Sequence, residues 1–488
     1  MNNASLMILE MAVLILGLAV LLLDLWTVPE RKRLLGYGAA AALVVIFCYS
    51  FTLPASEPRL AFGQAYVLDN LALFFKRFFL LAAIIVMVMS VQYADRIASG
   101  ISEFYSLVLF ALAGMMFAAS ANNFPMLFVS IELITVTFYI LTSFQRHRLS
   151  SLEAGIKYLI LGALSTAFTI YGIALVYGSS GTMSFVELAK VSPGLAGQPV
   201  FLLGLLLVLM GLAFKIAAFP LQMWAPDVYE GSPTPTAAFL AVGSKAAGFV
   251  LLLRLLFEAV PQVTAHWTQL LIALSGITIL YGNLCAIPQR NLQRLLGYSS
   301  IAHAGYLLLG VAAMSANVQN STASGSAILY YLGGYLFTVL GAFTILSLVL
   351  PRTEAADITA LAGLSQRSPV LASAMALAMV SLAGIPPLAG FFGKFLLLKA
   401  AVEQGATNPA FYWLVGIALA GVVISIWYYF GVIRAIYWSK DPADLSPIEV
   451  PYPIRLTLYA CMAGMLYLGI FPSAALQLTT QAVRVLQP

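Results

Sequence analysis

Residues 200–226 read VFLLGLLLVLMGLAFKIAAFPLQMWAP. An apolar run leads to a single charged side chain, Lys215, and then to Pro220 and Pro226. About 20 apolar residues suffice to cross a bilayer as a helix, so the stretch is long enough to span. Proline inside a helix removes a hydrogen bond and clashes with the preceding turn. In hydrocarbon, unwound backbone survives only within protein or beside a water-filled cavity. A lysine beside such a break is therefore placed to meet water. The same arrangement recurs in 370–400, VLASAMALAMVSLAGIPPLAGFFGKFLLLKA, where Gly384, Pro386 and Pro387 precede Lys394.

The rest of the chain fits a lipid solvent. Of 488 residues, 61% are hydrophobic and 9% charged, with a mean hydropathy of +0.95. A soluble domain carries roughly 25% charged residues. The apolar run at 4–26 has no basic segment before it and is long enough to span, so it predicts a permanent first helix and not a cleaved leader. Further spans are predicted near 34–53, 71–93, 104–121, 124–144, 153–177, 200–224 and 236–257, and then near 264–287, 295–316, 325–350, 370–400, 410–437 and 455–480. Continuous apolar runs exclude a β-barrel, whose strands alternate. The fold class expected is an all-α integral membrane protein of about fourteen transmembrane helices.

The breaks fall in the seventh and twelfth of these helices. Helices 4–8 and 9–13 then form two five-helix repeats, and an odd helix number makes the second copy inverted, a plan that puts sites at the midplane. The expected divisions are a three-helix segment over 1–103, a first repeat over 104–257, a second over 258–440, and a linker with a last helix over 441–488.

Basic residues in short loops mark the cytoplasmic side. Loops after odd-numbered helices hold Arg31, Lys32, Arg33, Arg96, Arg146, Arg148, Arg290, Arg294, Arg352, Arg367 and Lys440, whereas the opposite loops hold little beyond Arg59, Lys190 and Arg484. Both termini are therefore expected on the outer face. Lys76 and Arg77, near the outer start of the third helix, are expected to snorkel to the interface.

Redox chemistry finds no seat. Cys48, Cys285 and Cys461 lie far apart in apolar segments, without the spacing of a zinc or iron–sulfur site. His147, His266 and His303 are the only histidines, too few and too scattered for a ligated haem.

The informative residues are charges at depths where lipid opposes them. Glu132 lies about eight residues into the fifth helix, about 12 Å deep. Lys215, Lys245 and Lys394 occupy the seventh, eighth and twelfth helices, and His303 the tenth. Each charge at the bilayer centre costs at least about 2.5–3.5 kcal/mol. Snorkelling does not serve groups so far from the interface, and one glutamate does not pair with three lysines. Lys157, about a turn into the sixth helix, has a blander option, an ion pair with Glu153; Lys399, near a helix end, could equally be a snorkelling or paired residue. His303 is equally consistent with a satisfied core histidine.

These residues carry a resemblance. FVSIEL (Phe128–Leu133), LEAGIKY (Leu152–Tyr158), Gly211–Lys215 with Phe219-Pro220, WAPDVYEGSP (Trp224–Pro233), LLGYSSIAHAGYLL (Leu295–Leu308) and SLAGIPPLAGFFGKF (Ser381–Phe395) resemble the antiporter-like subunits of respiratory complex I and of multisubunit cation/proton antiporters. The WAPDVYEGSP stretch, and lysine rather than glutamate at position 394, make the similarity greatest to the bacterial subunit N type. The resemblance implies that Glu132 pairs with Lys215, that Lys245 links them to the second half, and that Lys394 lies on the route to the outer face. It also implies that NADH, flavin, iron–sulfur clusters and quinone belong to partner subunits, with no cofactor in this chain. The partners implied are lipid and other membrane subunits, including further antiporter-like ones; no nucleic-acid partner is expected. Many relatives have histidine where this chain has Gln222, which weakens any protonatable role there.

The chemistry expected is proton transfer by Glu132, Lys215, Lys245, Lys394, His303 and Lys157, driven from partner subunits. Burial disfavours an ammonium, and a carboxylate at about 4 Å restores it by roughly 4 kcal/mol at an effective dielectric near 20. Moving Glu132 toward or away from Lys215 would thus switch the lysine between holding and releasing a proton. A sodium/proton antiporter subunit using the same charges, and a membrane scaffold that only spaces other subunits, are the alternatives.

Overall fold

The structure, a computed structural model, describes residues 3–53, 57–97, 99–318, 321–350, 357–439 and 445–487. Arg352 and Lys440, two of the loop charges used above for orientation, lie outside the described residues.

The chain opens with α1 (Ile8–Asp24), α2 (Lys32–Ser50) and α3 (Asn70–Tyr93), with a small hairpin, β1 (Arg59–Ala61) and β2 (Tyr66–Leu68), between the last two. Then come α4 (Ile101–Ala119), α5 (Phe124–Thr142), α6 (Leu149–Ser180) and the short α7 (Phe185–Leu195). The first broken segment is α8 (Pro199–Ile216) with α9 (Trp224–Gly231). Next, α10 (Thr234–Phe239) passes through a π turn, Leu240–Ser244, into α11 (Lys245–Arg254), which ends in a second π turn, Leu255–Ala259. The second half holds α12 (Thr268–Ala286), α13 (Leu292–Ala316), α14 (Thr322–Val349), the one-turn α15 (Leu364–Arg367), the broken pair α16 (Pro369–Ala383) and α17 (Ala389–Gly405), and α18 (Ala410–Trp438). Finally, α19 (Tyr452–Ile470) and α20 (Pro472–Val483) close the chain.

Among the described residues, 13 continuous helices are long and apolar enough to cross a membrane. The broken pair α16–α17 supplies one more crossing, so the fourteen expected spans are present. Asparagine and aspartate side chains start several of them: Asp69 accepts from the Ala72 amide at 2.7 Å, Asn123 from Met126 at 2.8 Å, and Asn291 from Arg294 at 3.1 Å. Each satisfies a donor that the first helical turn leaves unpaired.

The two repeats are visible in the packing. In the first, α6 packs against both halves of the break, α8 and α9; in the second, α14 packs against both α16 and α17. α8 ends where Ala217 turns to φ +56°, and α16 where Gly384 turns to φ +85°. Cis bonds follow at Phe219-Pro220 and Pro386-Pro387. The repeats meet where α9 packs on α13 and α10 on α14. α11, α13 and α14 are buried nearly all round because protein surrounds them.

Three features depart from the sequence expectation. The last span does not run unbroken to 480: Phe471 leaves the helical region and Pro472 starts α20, since proline is favoured in a first turn but not within one. The helix α7 and the β1–β2 hairpin are additions to the expected plan. Lys76 does not snorkel. It is fully buried, because it points inward from α3 to Glu10 on α1, at 2.8 Å, and to the Tyr66 hydroxyl at 2.6 Å. Its neighbour Arg77 does reach outward, donating to the Ser50 carbonyl at 2.9 Å.

Candidate functional site

Lys215 stands in the last turn of α8, just before the break, and only 3% of it is exposed. Its Nζ donates to Thr135 Oγ1 of α5 at 2.8 Å. Gly248 makes room for it: a Cβ there would lie 3.4 Å from Lys215 Cβ and 2.6 Å from Ile216 Cγ2. The missing side chain lets α11 lie close against α8, one turn from Lys245.

Lys245 follows the π turn directly, and such bulges recur at functional sites. Its Nζ donates to both the carbonyl and the hydroxyl of Ser300 on α13, across the boundary between the repeats. Ser300 Oγ also meets the hydroxyls of Tyr229 at 3.1 Å and Tyr335 at 3.0 Å. One residue back, Ser299 Oγ bonds the Tyr429 hydroxyl, which lies 3.1 Å from His303 Nε2; His303 Nδ1 bonds the Tyr331 hydroxyl. The imidazole is thus held between two phenols.

Lys394 closes the row. Its Nζ donates to the carbonyls of Leu382 at 2.7 Å and Ala383 at 3.2 Å, in the last turn of α16. Those carbonyls lose their helical partners at the break, and a cation there also meets the negative end of the helix dipole. The ammonium stands 5.0 Å from the centre of the Tyr306 ring, and Tyr306 lies beside His303 with ring centres 6.2 Å apart. Gly393 lets Tyr331 approach, since a Cβ there would fall 2.7 Å from its Cδ2.

The structure therefore brings Lys215, Lys245, His303 and Lys394 into one buried row that crosses both repeats. Among the described residues no carboxylate lies within 4.0 Å of the three amines; their partners are hydroxyl and carbonyl oxygens. Neutral oxygens accept from an amine in either protonation state. The serine and tyrosine hydroxyls around Lys245 and His303 both donate and accept, which is what a proton hop requires.

Two predicted residues are placed differently. Glu132 is half-buried and accepts from Thr166 Oγ1 of α6 at 2.7 Å. It makes no direct ion pair with Lys215, because its side chain turns toward α6 while Lys215 reaches α5 at Thr135, one turn further on. Lys157 is outside the row. It pairs with Glu153 at 2.7 Å, as the bland option held, and also with Asp227 at 2.7 Å; Arg294 joins the cluster through Asp227 at 2.5 Å and Glu230 at 2.9 Å. Lys399 is exposed, 3.8 Å from Glu403.

Asp227, outside the spanning helices, sits in that cluster. Partial burial pushes its carboxyl up, but hydrogen bonds from Lys157 and Arg294 outweigh this and hold it below the usual carboxylate range. A lowered folded-state value means stability that is present above the unfolded value near 4 and lost as pH falls through the folded one. The unfolding midpoint of Asp227→Asn should therefore lie below wild type at pH 6, and the two should converge below about pH 3.

Sequence reasoning missed two groups of residues. The hydroxyls of Ser299, Ser300, Tyr229, Tyr331, Tyr335 and Tyr429 carry no signal of their own, being ordinary helix residues until two helices cross. The second group was visible as charge in apolar runs: Glu10 within Ile8–Val13 and Arg254 within Leu251–Phe257. Arg254 is fully buried and donates to both carboxylates of Asp69 and Glu258, at 2.7 to 3.0 Å, and to the Ala119 carbonyl at 2.8 Å.

Residues 121–425 match the family of NADH:quinone oxidoreductase/Mrp antiporter transmembrane proteins. The chain is also 39% identical to the NADH-quinone oxidoreductase subunit N of Desulforamulus reducens, over 99% of this chain and 98% of that one. The chain belongs to the NADH-quinone oxidoreductase subunit N family. A chain of respiratory complex I from Thermus thermophilus, solved with bound aureothin, has the same fold as this subunit N family member at a TM-score of 0.79. It is 32% identical, with 96% of this chain and 98% of that one covered. A chain of the Mrp complex from Dietzia sp. DQ12-45-1b superposes at a TM-score of 0.83, with 100% and 98% covered, but at 20% identity that likeness concerns the fold alone. The stretch 121–425 contains both breaks and the whole row, whereas Glu10, Lys76 and Asp69 precede it.

Proposed function

We infer that this chain is a proton-translocating membrane-arm subunit of NADH:quinone oxidoreductase, working beside other membrane subunits. Protons move along the row Lys215, Lys245, His303 and Lys394, driven by redox chemistry in the partner subunits. The observation that carries this is the set of four buried titratable groups in the interior of both repeats, their partners hydroxyl and carbonyl oxygens, with no carboxylate within 4.0 Å of the three amines among the described residues. A spacer would have no use for four such groups, each costing at least about 2.5–3.5 kcal/mol if charged at mid-bilayer. Membership of the subunit N family favours the respiratory role over sodium/proton exchange.

Glu132 modulates Lys215 from the edge of the row, through Thr135 and the field across α5 and not through contact. Lys157, with Glu153, Asp227, Glu230 and Arg294, lines a charged surface recess at the mouth of the first break, and its part in proton transfer is to feed that mouth. No cofactor binds this chain; NADH, flavin, iron–sulfur clusters and quinone sit in partner subunits. The chain lies in the bacterial plasma membrane with both termini on the outer face, an orientation supported by Arg31, Arg33, Arg96, Arg146 and Arg148 in loops after odd-numbered helices. Functionally it divides into the segments 1–103, 104–257, 258–440 and 441–488, with transport in the middle two.

The test is NADH-driven acidification of proteoliposomes carrying the assembled complex. Glu132→Gln should slow pumping and turnover together by about 3- to 10-fold, because one charge at the edge of the row biases the lysine without carrying the proton. Unchanged pumping would remove Glu132 from the mechanism. Pumping that requires sodium but neither NADH nor quinone would assign the chain to the antiporter class instead.

A further inference from the structure

A recess of about 510 Å³ lies between the loop after α3 and the loop after α5, both on the basic-loop face. Arg96, Arg146, His147 and Arg148 line it, and Glu103 is the one acidic residue at its border. None of the three arginines forms an ion pair among the described residues, although Lys32 and Arg33 on the same face are paired with Asp24 and Asp95. The start of α4 also opens here: Gly100, at φ +81°, precedes it without a side-chain cap. Uncapped helix starts and unpaired guanidinium groups are both attracted to anions. Three cations against one carboxylate leave the recess short of negative charge.

The floor is apolar. Leu107, Ile140 and Phe144 form it, and Ile140, Phe144 and Arg146 also border a second recess of about 330 Å³, which runs down between α5 and α6. That furrow is walled by Leu152, Ile156 and Leu159, with Ile156 58% exposed. A basic recess at the interface, continuous with an apolar furrow running into the bilayer, has the shape and charge of one lipid: phosphate above, acyl chain below. A free phosphate would use only the upper part.

We propose that this corner is a binding site for an anionic phospholipid, its phosphate held by Arg96, Arg146 and Arg148 and one acyl chain lying along Ile140 and Ile156. Guanidinium charge supplies the affinity and the furrow supplies selectivity for lipid over a soluble phosphate.

The assembled complex in detergent, titrated with phosphatidylglycerol and read by native mass spectrometry, tests this. Wild type should retain one more phosphatidylglycerol than the Arg96→Gln/Arg146→Gln/Arg148→Gln variant, whose affinity at that site should be roughly 100-fold lower. The corresponding triple lysine variant should bind within about 3-fold of wild type, since point charges suffice, and so separates lost charge from misfolding. Ile156→Gln should weaken phosphatidylglycerol about 10-fold. Equal retention by the triple glutamine variant would overturn the site. Displacement of the lipid by millimolar inorganic phosphate would make it a phosphate site instead. Binding to the isolated chain but not to the complex would mean that an acidic segment of a neighbouring subunit fills the recess, and would overturn it equally.

Discussion

Lys215→Ala should lower NADH-driven proton pumping at least tenfold while the complex still assembles. The residue is 3% exposed and, among the described residues, its amine has one bonded partner, Thr135 Oγ1 at 2.8 Å. No second titratable side chain stands between α5 and Lys245 along α8 and α11, so its loss opens a gap in the row. Truncation also leaves a cavity, worth about 2–5 kcal/mol for a long buried side chain, and Lys215→Met is the better-filled control. The decisive variant is Lys215→Arg. Arginine keeps the positive charge but does not give up its proton inside a protein. If Lys215 acts by carrying a proton, arginine should block pumping as fully as alanine. If it acts only as a fixed charge that biases Lys245, arginine should restore much of the rate. Proteoliposome acidification, with assembly checked on native gels, separates these; pumping near wild type in the alanine variant would remove Lys215 from the path.

The relation between Lys215 and Glu132 is where sequence and structure part most usefully. A carboxylate and a lysine in neighbouring apolar helices suggest an ion pair, and the family resemblance implied one. In the structure each has its own hydroxyl, Thr166 for Glu132 and Thr135 for Lys215. Which way a side chain turns depends on the helix opposite, and that is a tertiary fact. The breaks were legible because proline, glycine and a lone lysine in an apolar run conflict openly with helix and lipid. The hydroxyl bridges were not, since Ser299 and Ser300 gain meaning only when α13 crosses Lys245 of α11 and Tyr429 of α18. Lys157 illustrates the converse: its place about a turn into the expected span, with Glu153 four residues before it, already allowed the surface pairing that the structure has. Arg254 and Glu10 obeyed the same rule as Lys215, charge within an apolar run, and were legible on that rule.

Arg254→Met should destabilise the protein strongly. The guanidinium is fully buried at the end of α11, and it binds both oxygens of Asp69, both of Glu258, and the Ala119 carbonyl. Asp69 simultaneously caps α3 through the Ala72 amide. One side chain therefore ties the three-helix segment, α4 and α11 together. Removing one partner of a buried ion pair costs about 3–5 kcal/mol, because the remaining charges stay buried without compensation. Here two carboxylates are stranded, so the upper end of that range applies. The unfolding midpoint of the purified complex should fall by on the order of 5 °C, and the amount of assembled complex with it. The cause is electrostatic strain and not lost packing, as methionine nearly fills the space. Arg254→Met combined with Asp69→Asn and Glu258→Gln should then recover most of the loss: asparagine still caps α3, and neither amide carries a charge. If the triple variant is no more stable than the single one, Arg254 holds these helices through shape and its carbonyl bond, and the stranded charges are not what unfolds them.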